Sequence, residues 1–143
     1  MNKNTEYEVF SQEIYKEILE AEGLGTIKVQ HDVSLCGGHE QEYQIDVYWE
    51  FMTAGVCNRV AIECKNYAGK TPVGKVRDFF GVVHDIGNIQ GILVSKQGFQ
   101  KGAIQFAMDH GYDFIKAMLK DVTAGKTMII YNHESGNTKG EIQ

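Results

Sequence analysis

Apolar residues recur at helical spacing in three parts of the chain. Residues 6–23 carry apolar side chains at intervals of three and four and end on a glycine, a pattern that predicts a helix with a glycine stop. Residues 72–87 repeat this spacing behind Pro72, a residue that suits the start of a helix. A third helix is predicted over residues 98–111.

Four other stretches have the spacing of strands. Residues 43–52 and 58–66 alternate apolar and polar side chains, which is typical of strands with one buried face. Residues 26–35 alternate less regularly, and residues 91–95 form a short apolar run typical of a strand buried on both faces. The order helix, three strands, helix, strand, helix predicts an α/β fold in which a mixed central sheet is flanked by helices.

The two alternating strands are expected to form an antiparallel hairpin with a tight turn at residues 54–55. One register brings their apolar faces together, and a shift by one residue would place every apolar side chain against a polar face. The expected apolar pairs are Ile45 with Cys64, Val47 with Ile62 and Trp49 with Val60. The same register sets Asp46 opposite Glu63 and Gln44 opposite Lys65.

Asp46 and Glu63 would therefore face each other across the hairpin. Adjacent carboxylates repel each other, at a cost of some tenths of a kcal/mol or more when they are partly buried, so the pair needs compensation. Lys65 alone could supply it in a structural ion-pair triad. The alternative is a divalent cation, because Mg²⁺ is typically held by one or two carboxylates, water and substrate phosphate. Lys65 would then assist an attacking water, which makes this face a candidate hydrolytic site.

These residues resemble a known superfamily. The stretch QID at 44–46, followed by ECK at 63–65, a helix, a strand and GFQKGA, is similar to the PD-(D/E)XK nucleases and to their Mrr-like restriction endonuclease branch. The resemblance covers about residues 7–115, and Ile45 stands where the superfamily's nominal proline would be. It implies a restriction-endonuclease-like αβββαβ core and Mg²⁺- or Mn²⁺-dependent hydrolysis of phosphodiester bonds in DNA, in defence or DNA processing.

The resemblance also implies roles for single residues. The implied metal ligands are Asp46, Glu63 and the backbone carbonyl of Cys64. Lys65 corresponds to the catalytic lysine. Many relatives place a glutamate of the first helix near the metal; Glu13 fits that position, and Glu17 is the alternative.

Charge is unevenly distributed along the chain. The formal net charge is −5, yet residues 64–77 and 86–108 contain lysines and no acidic residue. An acidic protein can thus present a locally basic face to a polyanion, although chance segregation of surface charge would look the same. The candidate substrate-binding residues are Gln44, Lys75, Lys96 and Lys101.

Length and composition favour one compact domain over residues 1–143, with a core at about 6–120 and a frayed tail at about 133–143. No apolar run reaches the roughly 18–20 residues that span a bilayer, and the first residues lack the apolar region of a signal peptide, so we expect a cytoplasmic protein without a membrane partner. The three cysteines have no CxxC spacing, which argues against a zinc knuckle.

A different functional class remains open at this point. The acidic net charge and the absence of a separate DNA-reading domain would also suit a catalytically silent nucleic-acid-binding or assembly module of the same fold. A homodimer would suit cleavage of both DNA strands, although no residue pattern indicates one.

Overall fold

The computed structural model describes residues 2–110, 114–122, 125–132 and 137–142, with side chains described for 2–110. The helices of these residues are α1 (Lys3–Ala21), α2 (Val73–Ile86) and α3 (Lys101–His110), with a short 3₁₀ turn at Gly38–Glu40. The strands are β1 (Gln30–Cys36), β2 (Glu42–Thr53), β3 (Val56–Lys65), β4 (Gln90–Ser95), β5 (Phe114–Val122), β6 (Gly125–Asn132) and β7 (Asn137–Ile142).

The strands form one mixed sheet of seven in chain order. Pairing is antiparallel within β1–β2–β3, parallel from β3 through β4 to β5, and antiparallel within β5–β6–β7. The predicted α/β class and αβββαβ core are confirmed by α1 through β4. Because β3 and β4 run parallel, their carboxyl ends at Lys65 and Ser95 meet at one edge of the sheet.

The ends of the helices follow local chemistry. The side chain of Asn2 accepts a 2.8 Å hydrogen bond from the Thr5 N–H and caps α1. Pro72 directly precedes α2, and Gly87 follows it at φ +74°. The helix predicted over 72–87 is therefore confirmed, with a glycine stop in a conformation that other residues rarely adopt.

Two apolar clusters hold the layers together. On one face α1 packs against the sheet through Val47, Trp49 and Ile62, and on the other α2 and α3 pack around Ile45 and Leu93. The side chains that α1 buries are Tyr7, Ser11, Ile14, Tyr15 and Leu19. Every residue of β4 from Gly91 to Ser95 is buried, as the apolar run predicted.

The β2–β3 hairpin has the predicted register over most of its length. The paired residues run from Val47 with Ile62 to Thr53 with Val56. Ala54 and Gly55 form the turn with φ of +50° and +80°, the two positive values that match the twist of a two-residue hairpin.

Beyond Val47 the prediction is wrong. The β2–β3 ladder ends at the pair Val47–Ile62, so the expected pairing of Asp46 with Glu63 across the ladder is absent. Strict alternation also fails, because Ile45 packs in the α2 and α3 cluster whereas Val47 packs under α1.

The same change of face occurs in the neighbouring strand. Val29 packs under α1 and Val33 packs against the α2 and α3 cluster, with Asp32 at φ +61° between them. Asp32 lies across from Asp46, since its neighbours pair with the neighbours of Asp46. A residue at positive φ interrupts the regular pleat. At these two aspartates the inward-facing side chains of both strands therefore change from one face of the sheet to the other.

The carboxyl-terminal part of the chain holds β5, β6 and β7. The tail that was expected to be frayed contains β7, whose backbone pairs with β6, while residues 133–136 and 143 lie outside the described residues. Over the described ranges, no helix combines the length and the apolar character needed to cross a bilayer.

Candidate active site

A cavity of about 240 Å³ lies where β3 ends. Its lining residues are Asn4, Glu8, Asp46, Glu63, Cys64, Lys65, Asn66 and Tyr67. The structure therefore brings Asp46, Glu63 and Lys65 together, three residues that the sequence singled out. Asp46 and Glu63 lie just beyond the last paired residues of β2 and β3, and they are not partners in the ladder.

Asp46 is held by the backbone of β3. Its Oδ2 accepts a 2.8 Å hydrogen bond from the N–H of Cys64. The carboxylate stands where a backbone carbonyl of β2 would have stood in a continued ladder, because the ladder has already ended at Val47. This bond satisfies a partly buried N–H and fixes one oxygen of Asp46 at the mouth of the cavity.

Glu63 lies in an environment that disfavours its charge. Burial raises the pKa of Glu63 to about 7, against an opposing effect of the Lys65 ammonium, and the Asp46 carboxyl adds to the rise through its charge and a hydrogen bond. The Lys65 Nζ is 3.8 Å from the Glu63 Oε2. The single ammonium offsets only part of the effects of burial and of Asp46, so a further cation at this position would favour the charged form of Glu63.

The first helix contributes Glu8 to this cavity, and Glu13 lies elsewhere. The carboxylate of Glu13 is 3.5 Å from the Lys16 Nζ on the exposed side of α1, and Glu17 is also exposed. The Glu8 Oε1 is 2.8 Å from the His31 Nε2 of β1. Burial raises the pKa of Glu8, the hydrogen bond from His31 opposes this, and the charge of Asp46 adds to it.

A signal for Glu8 is present in the sequence. The buried face of α1 includes Ser11 and Tyr15, which lie three and seven residues after Glu8 and therefore on its side of the helix. A buried face predicted from the spacing of apolar residues alone leaves out Ser11 and Tyr15.

The predicted substrate-binding residues fall into different places. Gln44 donates a 2.6 Å hydrogen bond to the Asp32 Oδ1. The backbone N–H of Lys96 donates to the carbonyl oxygen of Lys65 at 3.1 Å, so Lys96 lies directly beside the end of β3. The other two lysines are exposed in the first turns of α2 and α3, outside the lining of the cavity: Lys75 and Lys101.

A buried hydrogen-bond cluster fixes the two loops at this edge. The hydroxyls of Thr71 and Ser95 are 2.8 Å apart, and the Ser95 hydroxyl donates to the Gly98 carbonyl at 2.7 Å. The Thr71 N–H donates to the same carbonyl at 2.9 Å, and both hydroxyl side chains are fully buried. The segments that follow β3 and β4 are thereby joined.

The ligand set at the site is small. In the part of the chain that the structure describes, no group of three or more His, Cys, Asp or Glu side chains could hold a metal ion. Burial raises the pKa of the Cys64 thiol well above its usual value, so its side chain is a poor ligand and a poor nucleophile. Asp46, Glu63 and backbone carbonyls remain, which fits Mg²⁺ with its retained waters better than Zn²⁺.

Comparison with protein families decides the relationship. The family model Mrr_cat, described as a restriction endonuclease, matches residues 4–121. The chain belongs to the Mrr-type restriction endonuclease family. The matched region of this Mrr-type domain includes Asp46, Glu63 and Lys65, and the family resemblance expected from the sequence is confirmed. None of the curated proteins matches the chain significantly.

Solved structures share the fold of the Mrr-type domain. The protein of unknown function AF1548 is 21% identical with a TM-score of 0.57, and the match covers 75% of this chain and 56% of that one. Protein VC1899 from Vibrio cholerae is 20% identical with a TM-score of 0.55, covering 76% and 29%. The MspJI restriction endonuclease, solved with a 27-mer oligonucleotide, is 13% identical with a TM-score of 0.53, covering 80% and 26%. The chain thus spans between about a quarter and just over half of these structures.

Proposed function

We propose that this chain is a divalent-metal-dependent deoxyribonuclease that hydrolyses phosphodiester bonds of DNA. The observation that carries the proposal is the single cavity that gathers Asp46, Glu63 and Lys65 inside the region matched by the restriction endonuclease family. Two carboxylates and one lysine are the set that phosphodiester hydrolysis needs, because this chemistry depends on positioning and charge neutralisation more than on covalent help.

Asp46 and Glu63 are proposed to hold Mg²⁺ or Mn²⁺, with the Cys64 carbonyl as a further ligand. The hydrogen bond from the Cys64 N–H already orients Asp46, and the raised pKa of Glu63, caused mainly by burial and increased by Asp46, means that a bound cation would stabilise the charged form of Glu63. When bound, the metal would neutralise the two carboxylates and polarise the phosphate under attack. Glu63 would hold the metal in its deprotonated form.

Lys65 is proposed to act on the attacking water. Its ammonium lies next to Glu63 in the lining of the cavity, where it can orient a water by hydrogen bonding and neutralise negative charge that develops on the phosphate. Glu8, held by His31, is proposed to orient a second water between α1 and the carboxyls. These side chains bind, orient and neutralise, and none forms a covalent bond to the substrate.

DNA is proposed to lie along the edge where β3 and β4 end. Lys96 is beside Lys65, and the first turns of α2 and α3 place Lys75 and Lys101 after the same two strands. Helix amino termini favour phosphate through backbone N–H groups and the helix dipole. Gln44, exposed on β2, is proposed to contact the DNA on the opposite side of the site.

Incubation of the pure protein with supercoiled plasmid and Mg²⁺ or Mn²⁺ tests this proposal. We expect nicking or linearisation by the wild type and a loss of about 10²–10³-fold in rate for Lys65→Ala and Glu63→Gln. Exposed residues of the same types, as Glu42→Gln and Lys28→Ala, provide matched controls that should cleave like the wild type. Melting curves with and without metal give a second readout, because a ligand of the folded state raises Tm.

Two results would contradict the proposal. Metal-independent DNA binding that falls steeply with salt, without cleavage in any metal, would indicate the silent binding module. A melting temperature that ignores metal, together with an Asp46→Asn variant as stable as the parent, would indicate the structural ion-pair triad.

A further inference from the structure

A second cavity of about 230 Å³ adjoins the candidate active site. Its lining residues are Lys3, Glu6, Tyr7, Phe10, Asn66 and Lys96. Asn66 also lines the cavity of Asp46 and Glu63, and its side-chain amide donates to the Lys3 carbonyl at 3.2 Å. The two cavities are therefore neighbours that share one lining asparagine.

The second cavity combines three kinds of chemistry. Lys3 and Lys96 supply two ammonium groups, Phe10 supplies an aromatic ring, and Glu6 supplies a carboxylate. An inorganic anion would be attracted by the lysines, and it would have no use for the ring and would be repelled by the carboxylate. A nucleotide uses all of them, because its phosphate pairs with lysine, its base stacks on an aromatic ring and its exocyclic amine donates to a carboxylate.

The position of Lys3 supports an anionic ligand independently. Lys3 is the first residue of α1, directly after the capping residue Asn2. A helix amino terminus carries a positive partial charge, so a lysine there is repelled by the helix dipole while an anion is attracted. A phosphate between Lys3 and Lys96 would relieve this repulsion.

We propose that this cavity is a subsite for one unpaired nucleotide next to the scissile phosphate, with its phosphate at Lys3 and Lys96 and its base against Phe10. The inference rests on the proposed nuclease function and names its substrate more closely. The ring of Phe10 belongs to a cavity wall beside Tyr7, so a base must leave the duplex stack to reach it. Single-stranded or frayed DNA is therefore the preferred substrate.

Binding is measured first, in EDTA, with Glu63→Gln protein and a short fluorescein-labelled single-stranded oligonucleotide. Adding Lys96→Gln or Phe10→Leu is expected to raise Kd about three- to tenfold, in the range of one lost phosphate or stacking contact. Leucine keeps the apolar packing of Phe10 and removes the ring. Lys28→Gln, which removes a lysine from a different cavity, should leave Kd within about twofold.

Cleavage gives the second readout, on the same strand carrying one abasic position. The wild type with Mn²⁺ is expected to lose cuts at the bond beside the abasic position, and Phe10→Leu is expected to cut there as well as elsewhere. When Lys96→Gln and Phe10→Leu are made singly in the wild-type protein, KM should rise while kcat stays within about twofold of the wild type. A merely destabilised protein would lower all cuts equally.

The outcomes separate the subsite from the nuclease function. Wild-type cleavage with unchanged Kd in both variants and no effect of the abasic position overturns the subsite and leaves the nuclease. Absence of cleavage and of any metal-induced melting shift overturns the nuclease. In that case, the Kd values in EDTA still decide whether the cavity binds a nucleotide.

Discussion

The two halves of the β2–β3 hairpin behave differently. In the closed half, from Val47–Ile62 to the turn, every residue pairs with its partner. In the open half, at Asp46 and Glu63, pairing has stopped, a side chain accepts the Cys64 N–H, and a carboxyl carries a raised pKa. The same two strands thus supply stability at one end and charged groups held close together at the other, and regular pairing is given up only where chemistry is proposed.

The largest effect on stability is expected when a buried side chain of the closed half is truncated. Val47 is fully buried, so Val47→Ala removes two methyl groups and leaves a void, lowering the free energy of unfolding by about 2 kcal/mol. Met52→Ala near the turn is the matched control, because Met52 is 63% exposed and its loss should cost less than about 0.5 kcal/mol. Urea denaturation measures both, and equal losses would contradict the assignment of the stability of the closed half to its buried side chains.

A smaller effect is expected from removing a charge beside the open half. Glu8→Gln should lower the cleavage rate about tenfold, since Glu8 lines the cavity and is held by His31. Glu13→Gln, on the exposed side of the same helix, should cleave like the wild type. Steady-state rates on plasmid distinguish the two, and a larger loss in Glu13→Gln would return the role to the residue that the sequence favoured.

The open half should also make stability depend on pH. The pKa of Glu63 rises from about 4.5 to about 7 on folding, so between these values the unfolded chain has lost a proton that the folded protein retains. Metal-free stability therefore falls as pH increases from about 4.5 to 7 and stays low above it. Glu63→Gln has no carboxyl to ionise and lacks this loss of stability. The Tm of the variant should therefore exceed that of the wild type by close to zero at pH 4.5.

This advantage in Tm should reach several degrees at pH 8. Thermal melts in EDTA across this range measure it, and Mg²⁺ at pH 8 should raise the Tm of the wild type alone. An advantage that does not change with pH would contradict the raised pKa.

The smallest effect concerns a group behind the hairpin. The Tyr15 hydroxyl is buried without a hydrogen-bond partner among the described residues, and its ring packs on Trp49 at 5.4 Å between centroids. Tyr15→Phe keeps the ring contact and removes the unsatisfied group, so stability should rise by about 1 kcal/mol. Calorimetry checks this, and a decrease in Tm would show that the hydroxyl has a partner.

The closed half could be predicted from the sequence and the open half only in part. Period-two alternation and the pair Ala54–Gly55 suffice to set the register, because a one-residue shift would expose the apolar face. The change of face at Asp46 depends on the positive φ of Asp32 in a neighbouring strand, a tertiary feature that no local pattern carries. Asp46, Glu63 and Lys65 line one cavity even though the strands diverge before reaching them.

The first helix shows a second limit. The apolar spacing in this segment marks aliphatic residues such as Ile14 and Leu19, and the structure also buries Tyr7, Ser11 and Tyr15. Ser11 is tolerated inside because its hydroxyl donates to the Tyr7 carbonyl at 2.9 Å. The buried face therefore extends to the side of the helix that carries Glu8 and leaves Glu13 outside.

The buried cluster of Thr71, Ser95 and Gly98 has a mechanical consequence. Its hydrogen bonds join the segments after β3 and β4, which form one side of the site and are anchored in the sheet. The opposite wall, at the start of α1, is tied to Asn66 by side-chain hydrogen bonds at the protein surface. The first residues of α1, before its buried side chains begin, are therefore the part of the site that we expect to shift first when a strand of DNA enters.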